Sequence, residues 1–238
     1  GATGILTGQV PNSSDILDAA VPIATITDII IRGDSDGTNT LGVQGVHPVP
    51  TDMVLAQMDS VISDIGVDAV KIGMIGSAQT AAAVAERLAQ LDNVPLVFDP
   101  VMVATSGSAM ADDATIAAFE RLMAIATLVT PNIPELAALG GEEIAIRFAT
   151  HVLAKGGHGE GPMLTDRLIG PQGVRKAWSN ARIDTRHSHG TGCTLASAIA
   201  TALGQGLDLI EAVERGRKYV REALALASVQ GMQVVREV

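Results

Sequence analysis

The stretch TRHSHGTGCTLASAIA, residues 185–200, places Gly190-Thr191-Gly192 and the only cysteine, Cys193, at the mouth of an Ala-rich helix. Gly190 and Gly192 permit positive φ and remove Cβ atoms that would block a close approach. The N–H groups at the start of the following helix form an anion site suited to a phosphoryl group or a developing oxyanion. Cys193 falls in the first turn, where the helix dipole is expected to lower a thiol pKa. It could then accept a proton from a substrate hydroxyl. Taken alone, the same pattern also fits a loop-to-helix junction in which Cys193 is a small buried hydrophobe.

Five other positions carry polar or distinctive groups at the ends of predicted strands: Lys71 with Met74, Asp99, Asn132 and the run Lys155-Gly156-Gly157. Asn132 and Glu135 are spaced as a capping box, so they could simply start the short helix at 133–141. His187 and His189 lack a convincing metal-ligand spacing and read as loop residues.

The elements that must position these groups alternate between strand and helix. Strands are expected at 21–31, 67–76, 94–101, 127–132 and 151–157. Helices are expected after Thr51 up to Gly66, at 77–91 with Ser77 as N-cap, at 112–126 and following HGTGC, with a last helix capped by Asp208. PMLTDRLIG and VRKAWSN form a hairpin pair across PQG. This alternation implies βαβ crossovers, a mostly parallel central sheet and helices on both faces, a three-layer α/β/α class. Ligands in such sheets bind beyond the carboxyl ends of the strands. With no internal repeat, low-complexity tract or clear linker, residues 1–238 read as a single domain.

Composition agrees. The chain has 238 residues, 47% hydrophobic but only 2% aromatic, so the core is built from Ala, Val, Ile and Leu. The formal net charge of −10 argues against nucleic acid and anionic membrane as partners. No apolar run is long enough to cross a bilayer, and GATGILTGQVPNSSD is not a secretory signal. One cysteine excludes an internal disulfide, and a cytoplasmic protein is expected.

DTRHSHGTGCTLASAIATALGQGLDLIEAV resembles the C-terminal signature of ribokinase-like kinases, closest to the hydroxymethylpyrimidine and phosphomethylpyrimidine kinases of thiamin biosynthesis. TLGVQGVHPVP (40–50), QMDSVISDIGVDAVKIGMI (57–75), VFDPVMVATSG (97–107), TLVTPNIPE (127–135) and LAKGGH (153–158) agree with the same family. The resemblance covers roughly residues 39 to 230. It implies an ATP- and magnesium-dependent kinase acting on 4-amino-5-hydroxymethyl-2-methylpyrimidine and its monophosphate, assembled as a homodimer. It also implies roles. Gly190, Thr191 and Gly192 fall on the anion hole and Cys193 on the catalytic base. Lys155, with Gly156, Gly157 and Thr191, falls on the nucleotide-phosphate side. Asp99, Asn132 and Glu135 fall on magnesium-associated positions, and Met74 and Val103 on the pyrimidine pocket. A pyridoxine or pyridoxal kinase of the same fold and a non-catalytic pyrimidine-binding domain are the alternatives.

The pattern breaks at the N-terminal end, where residues 1–38 are atypical. The chain joins the family only at Asn39, and Thr38 stands where the family places a pyrimidine-reading Gln. A second shortening lies at 140–157. Thr38 has no amide for a paired contact, so weakened pyrimidine discrimination is expected.

Overall fold

The computed structural model describes residues 23–25, 38–39, 42–43, 49–102, 112–158, 161–185 and 190–230. Strands β1 (Ile23–Thr25), β4 (Ala69–Ile72), β5 (Leu96–Phe98), β6 (Leu128–Val129), β7 (His151–Ala154), β8 (Met163–Gly170) and β9 (Gly173–Ala181) form one sheet in the order β1-β4-β5-β6-β7-β8-β9. The first five run parallel, and β8 and β9 add an antiparallel hairpin at one edge. β2 (Thr38–Asn39) and β3 (Gly42–Val43) form a separate two-stranded ribbon. The rest of the expected 21–31 strand lies outside the described residues.

Helices cover both faces. α1 (Thr51–Asp64), α2 (Ala78–Leu88), α3 (Asp113–Met123), the short α4 (Ile133–Ala138) and α5 (Ile144–Arg147) pack on one side. α6 (Thr191–Gly204) and α7 (Leu209–Gln230) pack on the other. The expected starts hold: the Ser77 hydroxyl accepts from the Thr80 N–H, and the Asp208 carboxylate accepts from the N–H groups of Ile210 and Glu211. Among the described residues, no helix is long and apolar enough to cross a membrane.

The central strands are shorter than expected, and the reason bears on the site. Each strand alternates its side chains between the two helical layers. Val70, Ile72, Phe98, Val129 and Val152 face α1–α5, whereas Ala69, Val97, Leu128 and Leu153 face α6 and α7. Two residues further along the α6 side come Lys71, Asp99, Thr130 and Lys155. Except for Lys71, which is still in β4, each falls just past its strand. The apolar row thus becomes a polar row at the carboxyl edge of four adjacent strands, beneath the start of α6.

α6 and α7 are held together at Gly216. A Cβ placed there would lie 2.8 Å from Ile199 Cγ1 and 3.3 Å from Leu195 Cδ1. The missing side chain lets α7 settle onto α6. Gly216→Val improves local helix propensity slightly but overpacks this contact, so a net loss of about 1–3 kcal/mol is expected. Denaturant unfolding checks it: the midpoint should fall with an unchanged slope, and an unchanged midpoint contradicts the close packing.

Candidate active site

Asp99 is the buried anchor of the polar row, with 2% of its surface exposed. Its Oδ1 accepts from Lys155 Nζ at 2.8 Å and from Thr130 Oγ1 at 3.0 Å. The backbone is fixed in parallel: Asp99 N–H donates to Ile72 O at 2.8 Å, and Lys155 N–H donates to Pro131 O at 2.9 Å. That second bond continues the pairing of β6 with β7 into the bridge between Asn132 and Lys155. Burial acts to raise the Asp99 carboxyl, but Lys155, Lys71 and the bonds from Lys155 and Thr130 outweigh it and hold the pKa below the usual carboxylate range. Burial likewise acts to lower Lys155, and Asp99 and Glu135 outweigh it, so its pKa is raised. Both groups are charged at neutral pH.

α6 closes over this pair. Gly190 is its N-cap, with φ of 76°, a left-handed conformation that favours glycine. Its carbonyl accepts from the Thr194 N–H at 2.9 Å, the first bond of the helix. The N–H groups of Gly192 and Cys193, in the first turn, have no intrahelical acceptor by helix geometry. A Cβ on Gly192 would lie 3.2 Å from Lys155 Nζ and 3.8 Å from Asp99 Oδ2. The group that approaches this glycine closely is therefore the chain's own ion pair.

Cys193 stands in the same turn, partly buried. Its thiol corrects one expectation. Burial pushes the pKa above that of an ordinary thiol, and Asp99 adds to the rise. Lys71 and Lys155 act in the opposite direction but do not prevail. The helix dipole alone does not decide the ionisation of a thiol that has lost most of its water and faces a carboxylate.

Asn132 and Glu135 form the full capping box at the start of α4. Asn132 Oδ1 accepts from the Glu135 N–H, and Glu135 Oε2 accepts from the Asn132 N–H, both at 2.8 Å. Capping and site are one arrangement here. Glu135 is buried, and desolvation raises its pKa against the opposing effect of Lys155, with Asp99 contributing to the rise. Asp99 and Glu135 therefore bring two carboxylates to the same lysine, while the Asn132 carbonyl oxygen is used in the cap. No group of three or more His, Cys, Asp or Glu residues that could hold a metal ion occurs among the described residues. Magnesium fits the two carboxylates present, because it keeps several waters and takes further oxygens from substrate phosphates.

Gly156 and Gly157 follow Lys155 in a 3₁₀ turn. The Gly156 N–H donates to Asp166 Oδ1 at 2.7 Å, so it is engaged within the protein. Met74 is buried just past β4. Thr38 lies in β2, opposite Val43. Val103, His187 and His189 lie outside the described residues. Lys71, noted in the sequence only as a strand-end polar group, joins the site together with Thr130, Asp166 and Arg217, which the sequence reading did not single out. The period-two pattern on β4–β7 places Lys71 and Thr130 on the α6 face; nothing local identifies Asp166 and Arg217.

Residues 22–236 match the family described as phosphomethylpyrimidine kinase. The chain belongs to the phosphomethylpyrimidine kinase family. It is 43% identical to a hydroxymethylpyrimidine/phosphomethylpyrimidine kinase of Rhizobium meliloti over 79% of this chain and 76% of that one. It is 44% identical to the thiamine biosynthesis multifunctional protein ThiED of Corynebacterium efficiens over 78% of this chain, which spans only 27% of that longer protein. The fold is that of the ADP complex of Bacillus subtilis pyridoxal kinase, with a TM-score of 0.68 and 28% identity over 80% of this chain and 76% of that one. The expected ribokinase-like architecture and kinase family are thus both found. Phosphomethylpyrimidine kinases are phosphotransferases, so the polar row and the α6 turn are the candidate active site of a phosphotransferase family.

Lys155→Met should destabilise the protein by about 3–5 kcal/mol at pH 7, because it strands a buried carboxylate. The depressed pKa of wild-type Asp99 stabilises the fold above the unfolded carboxylate value, and this contribution is lost as pH falls through the folded value. In the variant, burial without the lysine raises the Asp99 pKa, so protonation relieves the penalty earlier. The stability gap between the two proteins should therefore narrow on acidification. Chemical denaturation from pH 7 to pH 4 reads this directly; a gap independent of pH contradicts the coupling.

Proposed function

We propose that this chain transfers the γ-phosphoryl group of ATP to the hydroxymethyl oxygen of 4-amino-5-hydroxymethyl-2-methylpyrimidine, and then phosphorylates the resulting monophosphate. The observation that carries the reading is the Gly190–Cys193 turn, which sets a helix start and a thiol directly over the Lys155–Asp99 pair. Phosphoryl transfer depends mainly on positioning and charge neutralisation, and this arrangement supplies both.

In the first step the substrate oxygen bonds to the γ-phosphorus and the bond to the ADP oxygen breaks. The hydroxyl proton passes to Cys193 Sγ as thiolate. The backbone donors of the 190–193 turn hold the transferring group, and Lys155 neutralises charge on the phosphates. Asp99 and Glu135 would hold magnesium, with Asn132 fixing Glu135 through the capping box; when bound, the metal supplies charge neutralisation at the phosphate oxygens. Gly157 and Thr191 are assigned to the nucleotide side. Met74, Val103 and Thr38 are assigned to the pyrimidine. A free thiol and an ATP requirement fit the cytoplasm, and a homodimer of 24.4 kDa subunits is the proposed assembly.

The likeness to pyridoxal kinase, covering 80% of this chain, favours phosphorylation of pyridoxal or pyridoxine as a second reading. A transfer assay with the hydroxymethylpyrimidine, its monophosphate, pyridoxal and pyridoxine separates the two by their kcat/KM values. No turnover of any of them, with ATP bound, would overturn the kinase reading in favour of a binding domain.

Cys193→Ala should lower kcat by about 10²–10⁴-fold while leaving ATP affinity nearly intact. Because burial raises the thiol pKa, wild-type kcat should climb from neutral to alkaline pH, and the variant should lose that climb. A variant with turnover close to the parent contradicts the base assignment.

A further inference from the structure

The turn that carries Lys155 is gripped from outside the site. Gly156 lies against the backbone of β8: a Cβ on it would stand 2.2 Å from Thr165 O and 2.8 Å from Thr165 N. Its N–H donates to Asp166 Oδ1 at 2.7 Å. The other carboxylate oxygen, Oδ2, accepts from Arg217 Nε at 2.8 Å. Arg217 also donates through an Nη to Asn180 Oδ1 at 2.9 Å, and its guanidinium stacks 5.1 Å from the centroid of the Trp178 ring. The Trp178 indole N–H donates in turn to Glu214 Oε1 at 3.1 Å. The ion pair is mostly buried, with Arg217 10% and Asp166 19% exposed.

Arg217 belongs to α7, and its neighbour Gly216 is the contact that seats α7 on α6. α6 begins with the 190–193 turn. One helix thus holds both halves of the site: through Gly216 it positions the helix that carries Cys193, and through Arg217 and Asp166 it positions the turn that carries Lys155. A buried carboxylate with one oxygen on a backbone N–H and the other on a forked guanidinium has little freedom to rotate.

We propose that Asp166 and Arg217 are positioning residues for nucleotide use, fixing the Lys155–Gly156 peptide so that the Lys155 ammonium stays under Gly192. This rests on the reading of Lys155 as a nucleotide-phosphate residue. In this role Asp166 acts through Gly156.

Steady-state kinetics with ATP and with the pyrimidine varied in turn, alongside ADP titration calorimetry and thermal melting, test the proposal. Asp166→Ala should lower kcat/KM for ATP about tenfold to a hundredfold, mainly through KM for ATP and with weaker ADP binding, the scale expected for a small misplacement of a positioning group. The pyrimidine KM should stay within about twofold. Asp166→Asn keeps a carbonyl oxygen for the Gly156 N–H but sets an amide donor against Arg217 Nε–H, so it should recover part of the kcat/KM that Asp166→Ala loses. A purely structural role reduces the folded fraction and moves neither KM, so an Asp166→Ala enzyme with wild-type KM for ATP overturns the proposal. Failure of Asp166→Asn to rescue overturns it too. If Asp166→Ala does not fold, Arg217→Gln, which leaves the Gly156 bond but frees the carboxylate, should raise KM for ATP by about threefold; no change refutes the link. Lys155→Ala separates the premises. A Lys155→Ala enzyme with normal ATP kinetics overturns the role of Lys155 and this inference with it. An impaired Lys155→Ala beside an intact Asp166→Ala overturns this inference alone.

Discussion

The candidate site is organised around the buried contact between Lys155 and Asp99. Two opposite charges largely removed from water are costly unless geometry and extra hydrogen bonds compensate. Thr130 supplies a second donor to the same carboxylate oxygen, and the pairing of β6 with β7 continues to Asn132 and Lys155 so that the lysine leaves its strand at the correct height. The contact then dictates sequence elsewhere. A side chain at Gly192 would crowd the lysine ammonium, and Gly156 has to be small because the turn after the lysine runs against the backbone of β8. Two glycines distant in sequence answer to one ion pair.

The fold itself was largely legible in the sequence because its elements obey two periods. α2 and α3 carry helical spacing behind the good caps Ser77 and Asp112, and they start where those caps place them. The strands are more compressed. β6 keeps only Leu128 and Val129, because Pro131 and the capping box at Asn132 turn the chain away immediately. Composition marks such a stretch as buried and extended but cannot fix where the ladder ends. The switch from apolar to polar along one face was also present in the sequence, at Ala69 and Lys71, Val97 and Asp99, Leu128 and Thr130, and Leu153 and Lys155. It required knowing which face met α6.

What local pattern could not supply was long-range pairing. Asp166 and Arg217 are 51 residues apart, on a hairpin strand and a terminal helix, and each reads alone as a solvated charge. Glu135 shows the opposite difficulty. Its capping role was visible from Asn-x-x-Glu spacing, and that reading competed with a role in the site. The structure removes the competition: the bond that caps α4 also fixes a carboxylate near Lys155. Cys193 was misread in its ionisation because the dipole is a property of the helix, whereas burial depends on everything packed around it.

The charge pattern of the site connects these features to phosphate chemistry. The chain as a whole is acidic, with a formal net charge of −10, so its general field does not draw in a polyanion. Lys71 and Lys155 lie together on one strand-end edge, with Lys71 only 1% exposed, beside the donors of the α6 turn. Asp99 and Glu135 oppose them within the same space. Opposed charges within one space limit the cost of burying them. A nucleotide brings several negative charges that Lys71 and Lys155 alone do not neutralise. On the proposed function a divalent cation meets the remaining charge, and Asp99 and Glu135 are the oxygen ligands such a cation favours. The proposed metal–nucleotide site therefore draws on the same Lys155–Asp99 pairing that organises the carboxyl edge of the sheet.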